Sequence, residues 1–256
     1  MKNIFFLVIN ILFVNSVFCQ SFFGEATYNI QLAEDVFYFQ GILEFNDNKS
    51  IFSFKKNKKE KWFRENESEF KSQIVFTDII GHQVCHIMNT ENIEVRSFCQ
   101  KSKPIIYKDT PCFNWKMGVK EKKIQGVFCK NAHTKFRGRV YEVWFAPSIP
   151  VSAGPWKFFG LPGLIMQVTD NFGEVFILIQ SLNIEKTSLK IISNTLEGVE
   201  MSRTQFNNCL DVEWVKYIEK NDAIIARMQA EYPDIEITNN NLSSKKRKAT
   251  EFENKD

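Results

Sequence analysis

From Phe22 to about Ser193 apolar and polar residues alternate with a period of two, and only after Ser202 does the period lengthen to that of a helix. In Phe37-Tyr38-Phe39-Gln40-Gly41-Ile42-Leu43-Glu44-Phe45, residues Phe37, Phe39, Leu43 and Phe45 fall on one face and Tyr38, Gln40 and Glu44 on the other. This is the pattern of a half-buried strand. Asn46-Asp47-Asn48-Lys49 is turn chemistry, and Phe52 and Phe54 resume the alternation, predicting a hairpin with a phenylalanine-rich inner face. Ile74 to Phe98 reads as a second hairpin turning near Thr90-Glu91-Asn92. Trp115 to Met117 and Ile124 to Cys129 read as short strands. Arg139 to Phe145, apolar or aromatic on both faces, reads as a central one. Leu164 to Thr169 and Glu174 to Gln180 flank Asp170-Asn171-Phe172-Gly173, a strong hairpin signal.

Ser202-Arg203-Thr204-Gln205 matches a capping box. Phe206, Leu210, Trp214 and Ile218 follow at four-residue spacing, Ile225 and Met228 continue the stripe, and Pro233 stops it. Residues 202–231 are therefore expected as one amphipathic helix lying on the sheet, with Asp211 a point where it could break. Beyond Thr238 the chain is polar and aperiodic, the composition of a disordered tail over 238–256. The expected fold is mainly β (α+β): a curved antiparallel sheet or half-barrel with one C-terminal helix, forming a single domain over 20–237.

Composition narrows the function classes. A net charge of +3 over 256 residues gives no electrostatic footprint for nucleic acid. Lys2, an apolar stretch from Ile4 to Val14, and Val17 and Cys19 before Gln20 make residues 1–19 a signal peptide. The apolar run falls short of the ~20 residues that span a bilayer, so it is no transmembrane anchor. Lipidation at Cys19 is disfavoured by the bulk of Phe18. Export places the protein in the periplasm or at the cell surface, where cysteines pair. If the second hairpin turns about Asn92, Cys85 and Cys99 lie opposite each other on one face. Cys112 with Cys129 is the next pair, leaving Cys209 free.

The densest signal lies between Arg137 and Ile165. Arg137-Gly138-Arg139 is followed by Ala146-Pro147-Ser148-Ile149-Pro150, by Gly154-Pro155-Trp156-Lys157-Phe158, and then by Gly160-Leu161-Pro162-Gly163-Leu164-Ile165. In that order these elements resemble the GLPGLI family of secreted bacterial proteins, densely from Trp115 to Ile179. The resemblance implies export and a β-rich architecture and brings no activity with it. From the residues themselves, prolines fix φ and glycines admit positive φ, so the chain follows a set path. One reading is a rigid crossover in which Trp156, Phe158, Leu161 and Ile165 plug the end of the sheet. The other is a rim loop that offers Gly154, Pro155, Trp156, Phe159, Gly160, Leu161, Pro162, Gly163, Leu164 and Ile165 to a ligand or partner. A positive φ is expected at Gly163 in either case.

Arg137 and Arg139, read as two residues apart on a strand, share a face and could clamp a carboxylate or phosphate, or else pair with Glu142 or Asp170. His82 and His86 have the four-residue spacing that chelates a metal on a helix. On a strand they stand about 13 Å apart, so no metal site is expected. Cys129 and His133 are a conceivable nucleophilic pair. No local signature of a hydrolase, zinc protease, P-loop or dinucleotide site is present, and no cofactor is indicated. The sequence thus points to a secreted or periplasmic non-catalytic binding or adaptor module that meets an envelope protein or an apolar ligand. The alternative is an extracytoplasmic enzyme acting on peptide or glycan.

Overall fold

The computed structural model describes residues 22–32, 37–56, 78–100, 103–186, 192 and 196–233. The expected signal peptide, the polar tail and the stretch 57–77 lie outside the described residues. Among the described residues twelve strands form one sheet: β1 (Phe22–Leu32), β2 (Phe37–Phe45), β3 (Lys49–Lys56), β4 (His82–Ile87), β5 (Ile93–Gln100), β6 (Lys103–Asp109), β7 (Lys116–Ile124), β8 (Val127–Phe136), β9 (Arg139–Ala146), β10 (Leu164–Asp170), β11 (Val175–Lys186) and β12 (Val199–Glu200). One helix, α1 (Arg203–Glu231), follows. The order across the sheet is β12-β6-β5-β4-β3-β2-β1-β11-β10-β9-β8-β7. Two meandering wings therefore grow outward from β1, which joins them by pairing with β2 and β11. Every pair is antiparallel except β12 with β6.

Local chemistry accounts for the turns. The Asn46 side chain accepts from the backbone N–H groups of Asn48 and Lys49 at 2.9 Å each, closing β2–β3 as its Asn-rich sequence requires. Gly41 then faces Phe54 and Leu43 faces Phe52, giving the aromatic inner face. The hairpin of β4 and β5 differs from expectation. Its register sets Cys85 opposite Glu94 and His86 opposite Ile93, so it turns about Asn89 and Thr90 and not about Asn92. Asn89 adopts a φ of 63°, the left-handed conformation that asparagine tolerates. The short strands expected near 115 and 124 are in fact one long hairpin, β7–β8. Arg137-Gly138, with φ of 48° and 78°, is the two-residue turn between β8 and β9.

The sheet curls, and its concave face is filled by the chain itself. The segment 147–163 between β9 and β10 lies in the main core with Trp156, Phe158, Phe159 and Leu161. It touches both wings: Phe159 stacks on the His86 ring of β4 with centroids 3.9 Å apart, and Phe158 packs edge-on against Tyr141 of β9. Ser202 caps α1 with both capping-box hydrogen bonds in place, and the helix runs through Asp211 unbroken. Of its apolar stripe only Phe206 is fully buried, stacked on Tyr107 of β6. The helix thus docks by its first turns, while Ile224, Met228 and Tyr232 farther along are exposed. No helix among the described residues is long and apolar enough to cross a membrane.

Candidate functional site

The Pro/Gly segment is anchored at both ends by the strands it connects. Ile149 N–H donates to Ala146 O, Leu164 N–H to Ile149 O and Ile165 N–H to Ala153 O, all at 3.0–3.1 Å. Side chains finish the work. Tyr28 Oη donates to Ile165 O at 2.7 Å, Trp115 Nε1 to Phe159 O at 3.0 Å, and Gly160 N–H to Ser152 Oγ at 2.9 Å. Gly154, Pro155, Trp156, Phe159, Gly163, Leu164 and Ile165 are buried, and Leu161 is 2% exposed; of the ten residues expected to meet a partner, only Gly160 and Pro162 are exposed. This is the arrangement of a plug, and the rim-loop reading loses its contact surface. Gly163 is required for a different reason from the one expected. Its φ is not positive; a Cβ there would sit 2.3 Å from Ala146 O, so β9 and β10 can converge only over a glycine. The positive φ values fall on Trp156 (55°) and Gly160 (91°).

Beneath the plug lies a polar clasp. Lys157, only 1% exposed, donates from Nζ to Tyr107 Oη and to Asp109 Oδ2, both at 3.0 Å. Arg137 Nη2 donates to Asp109 Oδ1 at 2.7 Å, and Arg203 of α1 approaches the same oxygen at 3.9 Å. Burial works against the charge on Asp109, yet the Lys157 ammonium and the Arg137 guanidinium outweigh it and hold the carboxyl at about 2. A carboxylate so held has no proton to give at neutral pH. The clasp joins β6, the β8–β9 turn, the plug and α1, and its chemistry is that of a fastening.

The two arginines expected to act together are separated. Because Arg137 occupies the turn and Arg139 opens β9, their side chains diverge. Arg137 goes to Asp109, while Arg139 reaches Asp170 at 2.5 Å and Glu174 at 2.6 Å. Pairing with Asp170 was the simpler expectation for Arg139. Glu142 instead meets Asn131, His133 and Lys120, with Asn131 Nδ2 donating to its Oε1 at 3.1 Å.

The cysteine pairing also needs correcting. Cys99 is bonded to Cys209 on α1, and Cys85, Cys112 and Cys129 are free thiols. The register of β4 against β5 forbids a Cys85–Cys99 pair, and Cys85 belongs to a separate apolar cluster with Phe23, Ile51, Ile192 and Leu196. Cys112 lies in the exposed β6–β7 loop, whereas Cys129 is fully buried in β8, its Sγ directed to Val127 O. Burial raises both buried thiols above their ordinary range, which makes them poor nucleophiles. His133 turns to Glu142 and not to Cys129, so that nucleophilic pair does not form.

His82 and His86 lie on β4, a strand. His82 packs between Phe54 and Phe98, and His86 Nε2 contacts Thr90 O at 2.9 Å. Among the described residues no three metal-ligating side chains gather. The clasp was not read from the sequence, although Lys157 within the aromatic run Trp156 to Phe159 was a visible cue.

A family described as "Protein of unknown function (Porph_ging)" matches residues 137–167, the stretch from the β8–β9 turn through the plug into β10. No curated protein matches the chain. Among solved structures, PNGF-II in a C2 crystal form is similar with a TM-score of 0.53 and 16% identity, over 75% of this chain and 33% of that one. The same protein in a P21 form gives 0.51 and 15%, over 76% and 34%. The chain spans about a third of the length of those structures, and at such identity the likeness is one of fold alone.

Proposed function

We propose that the chain is an exported envelope protein that serves as a non-catalytic binding or adaptor module. The observation that carries this reading is the filled concave face. The residues best suited to hold an apolar ligand, Trp156, Phe158, Phe159 and Leu161, are spent on the chain's own core, and the clasp beneath them is closed by its own counter-ions. What remains for recognition is the outside of the molecule, so the partner is an envelope protein and not a small apolar ligand. The Cys99–Cys209 disulfide, which fastens α1 to β5, accords with a compartment outside the cytoplasm.

Affinity purification of the mature chain from its own envelope tests the reading. The wild type should bring down a discrete protein, and Ile224→Asp/Met228→Asp, placed on the exposed part of α1, should lose it while melting normally. The alternative, an enzyme acting on peptide or glycan, has the Glu142–His133 pair in its favour. Hydrolysis of such a substrate by the wild type, lost in Glu142→Gln, would replace the adaptor reading.

A further inference from the structure

We infer that the β7–β8 hairpin is a docking surface for an anionic lipid surface. Residues 116–136 hold six lysines (Lys116, Lys120, Lys122, Lys123, Lys130 and Lys135) against one acidic residue, Glu121. That single hairpin is therefore more positive than the whole chain at +3, and the remainder is slightly acidic. β7 is also the outermost strand of its wing, so its side chains line an open rim.

The rim is apolar as well as basic. Val119 is 96% exposed, Met117 56% and Phe128 43%. Val119 projects because β7 bulges: Met117 pairs with Ala132 and Glu121 with Lys130, so four steps on β7 are matched by two on β8. The bulge is built into the fold. Asn131 Oδ1 fills the gap by accepting from Lys120 N–H at 3.0 Å, and a Cβ at Gly118 would lie 2.1 Å from that same oxygen. Lys116, Lys123 and Lys135 make no ion pair among the described residues, whereas Lys122 is turned back onto Gln167 and the Trp144 ring.

Lysines and a bulge on an edge strand oppose the addition of another strand, which argues against an extended peptide as the occupant. They do not explain why three large apolar side chains stand in water between them. Lys120 and Lys130 are already paired with Glu142 and Glu121, so Lys116, Lys123 and Lys135 are the cations this rim offers. A rim that carries them beside a protruding valine is suited to an anionic bilayer interface: those lysines meet lipid phosphates and the apolar tips enter the headgroup boundary. The inference takes its source of lipid from the envelope reading above. The two can fail separately, because export is read by N-terminal sequencing and lipid contact by flotation of the purified chain.

The test is flotation of the full mature chain with vesicles of phosphatidylcholine alone or mixed with phosphatidylglycerol, at low and high salt. The wild type should float with the anionic vesicles at low salt, remain in buffer with neutral ones, and be released by high salt. Lys116→Glu/Lys123→Glu should lower the bound fraction about tenfold or more, and Met117→Ser/Val119→Ser should weaken binding with the salt dependence kept. All four positions are exposed or half-buried, and thermal melts confirm folding; should one pair fail to fold, the other decides alone. Absence of flotation at low salt, binding indifferent to both substitutions, or capture on immobilised polyglutamate without flotation would each overturn the inference.

Discussion

Asp109 ends a strand on one wing and receives a lysine from the plug and an arginine from a turn on the other wing, so a single carboxylate fastens the curl of the sheet. Its carboxyl is lowered from 3.8 to about 2. A depressed carboxyl adds stability that is present above its unfolded pKa and is lost as the pH falls through the folded one. The window is therefore between about pH 4 and pH 2, and the contribution is about 2 kcal/mol. Asp109→Asn leaves Lys157 buried without its counter-ion. It should lower stability at neutral pH by about 3 kcal/mol or more and flatten the acid limb of the stability curve. Denaturant melts from pH 7 down to pH 2 read both effects, and an unchanged acid limb would remove Asp109 from that role. His86 adds a second acid-sensitive contact. Burial lowers its pKa, so the histidine favours folding while neutral, and its stacking on Phe159 loses support as the pH falls below its ordinary value.

At the scale of elements, the plug decides whether the two wings meet. Leu161→Asp would place a charge where the side chain is 2% exposed, adding the cost of burying it to the ~2–5 kcal/mol of a lost core leucine, so the variant should not fold. Gly163→Val sets a Cβ against the Ala146 carbonyl and should separate β9 from β10. Circular dichroism and thermal melts check both, and a normally melting Leu161→Asp would restore the rim-loop reading. Strand type, the β2–β3 and β10–β11 hairpins and the α1 cap were legible because each rests on residues near in sequence. Register was not. Cys85 and Cys99 were misplaced because a turn centred two to three residues earlier moves every cross-strand partner, and no turn residue marks Asn89 over Asn92. The β7 strand was hidden by its lysines, which are tolerated only because it is an edge. The clasp escaped because Asp109 and Lys157 meet through tertiary folding alone.

On the scale of the whole molecule, one disulfide among the described residues ties α1 to the sheet. Cys99 and Cys209 are separated by 110 residues, and a closed loop of that size is worth about 4–5 kcal/mol in the chain-entropy account. The bond matters more because α1 buries little apolar surface: Phe206 is its one fully buried residue, helped by partly buried Leu210, and its polar ties to the sheet are Arg203 near Asp109 and Glu213 with Gln100. Cys209→Ser, or reduction of the wild type, should therefore lower the melting temperature by about 10 °C or more. Loss should begin at the helix, with amides from Phe206 onward exchanging early while those of β1 and β11, at the centre of the sheet, stay protected. The buried thiols Cys85 and Cys129 should remain unmodified in the oxidised protein, so of the three thiols among the described residues labelling under native conditions should mark only Cys112. Equal melts with and without reductant would show that the packing of Phe206 on Tyr107 holds the helix unaided, and the disulfide would then lose its place as the bond that fixes how α1 is presented.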